Sequence, residues 1–464
     1  MLGSDERASV TVQADVAVIG MGPGGEEVSG SLAEGGLEVV GIERLLLGGE
    51  CPYWGCVPSK MMIRAANSIA EGRRVPKLAG RSSVDPDWSP VAQRLRFVAT
   101  DNWNDRVAVE RFEGKGGRFI RGEGRLLGPG RVGVGEEVIE ARRGVVIATG
   151  AAAVIPPIPG LDEVDHWTNR GFVEAETLPA SMVLLGGGAV GVELAQVAAR
   201  FGTHVTVVDT ADRLIPFEEP EAGRLLTRLL AEEGMELRLG RKARSVARDG
   251  AGVAVTLDDG AVAAGDRLLV ATGRRPDLRQ LGLETVGLDP GAPALEIDGS
   301  CRVKGAEVLW AVGDCTGHGA FTHVAIHQAR IAAADILGRP HAPAEYHALP
   351  RVTFTDPEVG AVGLTAEQAV QRGLRVRTGS AELPASARGW IHGPGNDGFI
   401  KLVEDEAAGV LVGATSVGPW GGEVLSLLSL AVHARVPTRT LRDMIYAYPT
   451  FHRAVEDALR DLAG

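Results

Sequence analysis

The sequence predicts an α/β chain made of two copies of one strand–turn–helix–strand unit, followed by a third module of mixed strands and helices. Three observations carry that expectation. Two glycine-rich turns recur in the same local context. In each, the first glycine precedes an acid at the end of an apolar strand by 23 residues. Glycine also supplies 63 of the 464 residues, about twice ordinary usage. No Gly-X-Y period exists, so the excess is not collagen-like, and an apolar share of 45% with 23% charged residues excludes wholesale disorder.

The first copy begins with the β-branched run Ala14–Ile19, which enters Gly20-Met-Gly22-Pro-Gly24-Gly25 and a helical stretch. It closes with the strand Leu37–Glu43. The second copy reads Ser181–Leu185, then Gly186-Gly187-Gly188-Ala-Val-Gly191, a helix, and His204–Asp209. In such a turn the first glycine permits the tight bend, the second lets backbone approach a pyrophosphate, and the third lets helix and strand pack closely. The helix start offers unpaired N–H groups to phosphate, and the terminal acid can accept from ribose hydroxyls. A strand ending Ala148-Thr149-Gly150 lies between the copies, and one ending Ala271-Thr272-Gly273 follows the second. Val308–Asp314 is a further strand with an acid at its end. Pro156–Gly160 and Arg339–Pro350 read as linkers, and from Arg351 onward no glycine fingerprint occurs.

Composition narrows the function. A net charge of −12 disfavours nucleic acid as a partner. No run of about 18 apolar residues exists, so no membrane span is expected. Met1–Asp15 carries Asp5, Glu6 and Arg7 without an apolar stretch, which predicts a cytoplasmic protein. Only six lysines occur, so Lys60 inside a motif is notable. Cys51-Pro-Tyr-Trp-Gly-Cys56 follows the first acid-ended strand, and its spacing permits a disulfide if the turn is distorted. A catalytic dithiol, two packing cysteines and half a metal site are the readings open to it. No second Cys or His pair completes a metal site, so none is expected. Cys301 and Cys315 are expected as small buried residues.

The run Gly48–Lys60, both fingerprints, both Ala-Thr-Gly turns, Val312-Gly-Asp314 and Phe354–Leu364 together resemble the pyridine nucleotide–disulfide oxidoreductases, the group of the lipoamide, glutathione and mercuric reductases. The resemblance implies two Rossmann-like dinucleotide-binding domains, one for FAD and one for NAD, plus an α+β C-terminal dimerisation domain. It places the first part of the FAD-binding domain at 1–155, the NAD(P)-binding domain at 156–274, a return to the FAD-binding or central domain at 275–345, and the dimer-interface domain at 346–464. It implies a homodimer that passes electrons from NADH through FAD to a Cys51–Cys56 disulfide and on to a small acceptor.

Residue by residue, the resemblance assigns Gly20, Gly22, Gly25, Glu43, Gly49, Gly124, Thr149, Gly150, Asp314, Thr322 and His323 to FAD. Gly186, Gly188, Gly191, Glu193, Asp209 and Gly273 fall to the nicotinamide cofactor. Lys60 is expected at the flavin, paired with Glu193, while Cys56 faces the flavin and Cys51 meets the substrate. Asp209 favours NADH over NADPH, since a carboxylate repels a 2′-phosphate; Arg213 could offset that by swinging inward.

The sequence departs from the group at its end. Disulfide-reducing members carry a His-Pro pair and a nearby glutamate, contributed across the dimer; here the stretch is Tyr446-Ala-Tyr448-Pro-Thr-Phe-His452-Arg453. Tyr448 therefore stands at the base position, with a reference pKa near 10 against about 6.5 for histidine. The expected acceptor needs little general-base help: a quinone, a metal ion or an unusual disulfide. Alternatives are a dihydrolipoyl dehydrogenase-like disulfide reductase with a non-standard acid/base, a quinone reductase or diaphorase that bypasses the dithiol, and a redox-sensing protein. No cysteine follows Cys315, so the C-terminal pair of mercuric reductases is absent and mercuric ion is disfavoured.

Overall fold

The structure, a computed structural model, describes residues 10–464. The chain forms two compact units. One contains the residues up to Pro58 with Leu95–Val154 and Arg274–Glu345; the other contains Ser59–Arg94, Ile155–Gly273 and Tyr346–Gly464.

In the first unit, strand Val10–Ile19 lies between Val39–Glu43 and Glu137–Ile147, parallel to both. Arg118–Arg121 extends the sheet on one side, and Leu309–Ala311 pairs in parallel with the end of Glu137–Ile147. A meander of Arg125–Gly128 and Arg131–Val134 completes the other edge. Ala14 and Val16–Val18 have no exposed surface, which explains an unbroken apolar run where a one-faced strand would alternate. Helix Pro23–Glu34 starts with proline, whose missing N–H costs nothing there, and stops at Gly35–Gly36. A Cβ on Gly24 would lie 3.1 Å from Ala325 Cβ, so glycine lets this helix settle against Thr322–Ile336.

The second unit repeats the parallel order. Glu236–Leu239, His204–Asp209, Ser181–Leu185 and Arg267–Val270 stand in sequence across one sheet, with His166–Trp167 beyond them. Here the antiparallel meander is a separate three-stranded sheet, Ala243–Asp249, Gly252–Leu257 and Val262–Gly265. The C-terminal part of this unit is antiparallel throughout. Pro350–Thr353, Glu358–Gly363, Val410–Gly418, Phe399–Asp405 and Val376–Glu382 form one sheet, in that order. Helices Gly421–His433 and Ala454–Ala463 bury Leu425, Leu428, Val455 and Leu459 in the same core as Ile400 and Leu402 of that sheet.

Polar groups join these parts of the second unit. Arg200 is 2% exposed and meets Glu233 at 2.7 Å and Asp356 at 2.8 Å, while Arg74 takes the same Asp356 oxygen at 2.7 Å. Gln196 donates to the Asp356 carbonyl (3.0 Å) and accepts its N–H (2.8 Å). A buried guanidinium persists because two carboxylates neutralise it.

Candidate active site

The two glycine turns match at the level of single hydrogen bonds. In the first, Glu43 accepts the Met21 N–H at 2.9 Å and the Leu45 N–H at 2.8 Å. In the second, Asp209 accepts the Gly187 N–H and, at 2.7 Å, the Ala211 N–H. Each acid thus ties its own strand end to the turn beside it. Gly20 and Gly186 have φ of +93° and +109°, and a Cβ on either would strike the Ala148 or Ala271 carbonyl oxygen at 2.5 or 2.3 Å. A Cβ on Gly25 or Gly191 would lie 2.0 Å from the Gly20 or Gly186 oxygen. These glycines are required by the protein itself.

The middle glycines are not. Gly22 (φ −68°, ψ −174°) and Gly188 (φ −74°, ψ −180°) are extended, a conformation open to any residue. A Cβ on Gly22 would meet nothing nearer than Gly49 Cα at 4.0 Å, and one on Gly188 nothing within 4 Å. Both are helix N-caps that supply no side-chain bond, so the first N–H groups of Pro23–Glu34 and Ala189–Arg200 have no capping side chain. Gly49 (φ +66°) is needed differently, since its Cβ would come within 2.7 Å of Gly22 Cα. Gly124 is buried, its Cβ position 3.1 Å from Ile19 and 3.3 Å from Ile42.

Cys51 lies in the short helix Glu50–Tyr53, and Cys56 opens the helix Cys56–Arg74. Both are free thiols, Cys51 half-buried and Cys56 exposed. The hydrogen bond with Cys56, together with burial, pushes the Cys51 thiol far above its ordinary range. Thr322, the first residue of its helix, places its Oγ1 at 3.5 Å from Cys56 Sγ. Cys301 and Cys315 are fully buried, and burial lifts each thiol to about 12.

In the second unit Lys60 Nζ donates to Glu193 Oε2 at 2.9 Å, with Glu193 buried in helix Ala189–Arg200. The Phe354 N–H donates to the other oxygen at 2.8 Å, and Lys60 Nζ stands 4.5 Å from the centre of the Phe354 ring. Tyr448 is 69% exposed, and the Arg453 guanidinium lies over its ring face at 5.3 Å from the centre. Arg453 also pairs with Glu456 at 3.1 Å, so its charge is engaged away from the tyrosine hydroxyl. Tyr448, Thr450 and Arg453 line a shallow pocket with Ser386 and Arg388. His452 Nε2 is 3.4 Å from Thr450 Oγ1.

Comparison with known proteins decides the family. The pyridine nucleotide-disulphide oxidoreductase family matches residues 14–329, and the dimerisation domain of the same family matches residues 349–459. The chain belongs to the pyridine nucleotide-disulphide oxidoreductases. It is 32% identical over 475 residues to a dihydrolipoyl dehydrogenase of Chlorobaculum tepidum, covering 98% of each chain. It is 34% identical over 468 residues to a mercuric reductase of Shigella flexneri, covering 97% of this chain and 81% of the relative. The crystal structure of LpdA from Mycobacterium tuberculosis superposes with a TM-score of 0.86 at 29% identity, covering 97% of this chain and 99% of that one. Two dinucleotide-binding domains and a C-terminal dimerisation domain are therefore present, as the sequence predicts. No helix among the described residues is long and apolar enough to cross a membrane.

Members of this oxidoreductase family use FAD, and the first cradle fits its pyrophosphate. Gly22 leaves open the one position where a side chain would stand in front of the helix start. Asp314, the expected ribitol partner, opens the helical turn Asp314–Thr316 that follows strand Leu309–Ala311. Gln328, fully buried, fixes that turn by accepting the Gly313 N–H at 2.7 Å and donating to Thr316 Oγ1 at 3.0 Å. His323 is exposed and stacks on Phe321 at 5.2 Å. Gln328 and Arg274, whose guanidinium is 3.6 Å from Asp314, carry no sequence signal of their own. Phe354 opens the Phe354–Leu364 motif, but its sequence gives no sign of the contact with Glu193 and Lys60.

Burial raises the Asp314 carboxyl above the ordinary carboxylate range, with Arg274 pulling it back in part. An acid with a higher pKa folded than unfolded binds extra protons in the folded state. Its contribution therefore falls as pH rises from about 3.8 through the folded-state value, and stays low above it. Asp314→Asn should raise the thermal midpoint of flavin-free protein at neutral pH and flatten that acid-side slope, read by calorimetry across the range. An unchanged slope would show that Asp314 is not held at a cost.

Proposed function

We propose that this protein oxidises NADH and, with FAD and a redox-active Cys51–Cys56 pair, reduces a small acceptor that needs no imidazole base: a quinone, a metal ion or an unusual disulfide. The observation that carries this reading is the placement of Cys51 and Cys56 near the starts of adjoining short and long helices, with Thr322 Oγ1 at 3.5 Å from Cys56 Sγ. Bound FAD would supply the hydride-to-electron-pair conversion between NADH and the disulfide. One NADH and one proton convert the Cys51–Cys56 disulfide to two thiols and release NAD⁺. The two thiols then close again to the disulfide and deliver two electrons to the acceptor; their two protons go to a quinone or disulfide acceptor, or to solvent when the acceptor is a metal ion.

The residues divide this work. Cys51 exchanges with acceptor and Cys56 faces the flavin. Lys60, held by Glu193, keeps a positive charge beside the flavin, where negative charge gathers on reduction. Asp209 accepts from both hydroxyls of the NADH ribose. Tyr448 serves as a hydrogen-bond donor to the acceptor, because a phenol at neutral pH gives a proton more readily than it takes one. Arg453, engaged by Glu456 and the Tyr448 ring, cannot replace the glutamate that orients an imidazole. Two chains act as a homodimer through the dimerisation domain.

An anaerobic NADH titration followed by an acceptor screen tests this. We expect about two equivalents of NADH per chain, one for the disulfide and one for the flavin, since each is a two-electron couple. Quinones or metal ions should turn over at least about tenfold faster than lipoamide or glutathione-type disulfides, because a positioned base is worth about 10²- to 10⁴-fold in thiol exchange. Tyr448→His with Arg453→Glu should narrow that gap. Uptake of a single equivalent removes the dithiol from the reading, and lipoamide as the fastest acceptor overturns the choice of acceptor.

A further inference from the structure

The loop that follows Asp209 is held in a conformation its own residues disfavour. Ile215 is buried at 3% exposure and β-branched, yet has φ of +44°, where such residues are outliers. Its N–H donates to the Gly187 carbonyl at 2.8 Å, inside the second glycine turn. Arg213, four residues past Asp209, donates to the Pro216 carbonyl at 3.0 Å and meets Asp212 at 3.3 Å. Its Nε is buried without a partner among the described residues. Its stem lies over Gly223, where a Cβ would come within 3.0 Å of Arg213 Cδ and 2.5 Å of the Leu214 carbonyl. Strain at Ile215 and the orphaned Nε both favour release of this loop.

What opposes release sits immediately after it. Glu218, whose N–H closes on the Ile215 carbonyl at 3.0 Å, takes Arg351 through both Nε (2.7 Å) and Nη2 (2.9 Å). The next residue, Glu219, is 2% exposed and accepts Lys401 Nζ at 2.8 Å and the Ala366 N–H at 2.7 Å. Arg351, Ala366 and Lys401 all belong to the dimerisation domain. Two consecutive glutamates are thus anchored by three separate elements of that domain.

We propose that the dimerisation domain sets nucleotide preference through this tether. Arg351 and Lys401 hold Glu218 and Glu219, which keep Ile215 left-handed and Arg213 on the Pro216 carbonyl. Arg213 is then withheld from any 2′-phosphate presented beside Asp209, and the carboxylate alone meets the ribose. Arg351, Lys401 and Ile215 are positioning residues, acting through Arg213. The inference rests on the reading of the second glycine turn as the nicotinamide cofactor site.

The test uses the flavin-loaded protein and two probes, 5′-AMP and 2′,5′-ADP, with affinities measured by calorimetry beside the kcat/KM ratio for NADH and NADPH. Arg351→Ala should tighten 2′,5′-ADP relative to 5′-AMP by about tenfold and shift the kcat/KM ratio the same way. Glu218→Gln, a milder cut of the same pair, should move both in that direction by less. Adding Arg213→Ala should cancel the gain. Relative affinities within about twofold of the parent in both tether variants overturn the proposal, as does a gain that survives loss of Arg213. A parent protein that binds neither probe overturns instead the reading of the site, which separates the two failures.

Discussion

Gly22→Val is expected to yield a folded protein without flavin, while Gly25→Ala is expected to damage the fold itself. The two positions are three residues apart in one turn, and the difference lies in what surrounds them. A Cβ at Gly22 meets only Gly49 Cα, at an ordinary contact distance of 4.0 Å, and its backbone is already extended. Valine there should cost the flavin-free protein less than about 1 kcal/mol, in the range of ordinary surface changes. Its branches would occupy the space before the helix start, and flavin occupancy should fall at least about tenfold, the loss expected when the phosphate's backbone donors are screened. At Gly25 a Cβ would stand 2.0 Å from the Gly20 oxygen, so the helix must shift, at about 1–3 kcal/mol or more. Thermal unfolding and the flavin-to-protein absorbance ratio of each purified variant distinguish the cases. Full flavin content in Gly22→Val would remove the argument that the middle glycine serves the cofactor.

Cys51→Ser is expected to abolish turnover of acceptors that draw on the dithiol, by at least about 10³-fold, as removal of an attacking nucleophile does elsewhere. NADH should still bleach the flavin in that variant, because no step before the disulfide uses the outer thiol. The titration should then take up one equivalent fewer. Cys56→Ser should lose turnover as well, since a single thiol cannot close a disulfide. If Cys51→Ser keeps full activity with every acceptor in the screen, the enzyme is a diaphorase that bypasses the pair. The hydrogen bond that raises the Cys51 thiol would then be a packing detail.

The parts of this protein that were legible from sequence are those whose physics is local. A tight turn, a close helix–strand approach and an acid at a strand end each leave a mark within a few residues. The two strand–turn–helix–strand units could therefore be located to within a residue or two of Ile19, Glu43, Leu185 and Asp209. The partnership of Lys60 with Glu193, separated by 133 positions, came only from family resemblance. The N–H of Phe354 on that same glutamate had no signal at all, because a backbone donor can belong to any residue. Gln328 is similar: a buried amide in an alanine-rich helix announces nothing until the turn it holds is seen. At the C-terminal stretch the substitution of Tyr448 and Arg453 was plain, but the seating of the guanidinium on the ring face needed coordinates.

The two glycine cradles share their hydrogen bonds but not their surroundings. Gly49 packs against Gly22, so the loop leading to the cysteines forms a wall beside the first cradle. Gly188 has nothing within 4 Å of its Cβ position, and Ala189 and Val190 after it are exposed. Two sites with the same donors then differ in how long they keep a guest. On the proposed reading of both turns as nucleotide sites, the walled first site is expected to release its guest more slowly than the open second, and dissociation rate is where related sites differ most. One ancestral pattern can in this way serve a nucleotide retained through many turnovers and another that departs after each.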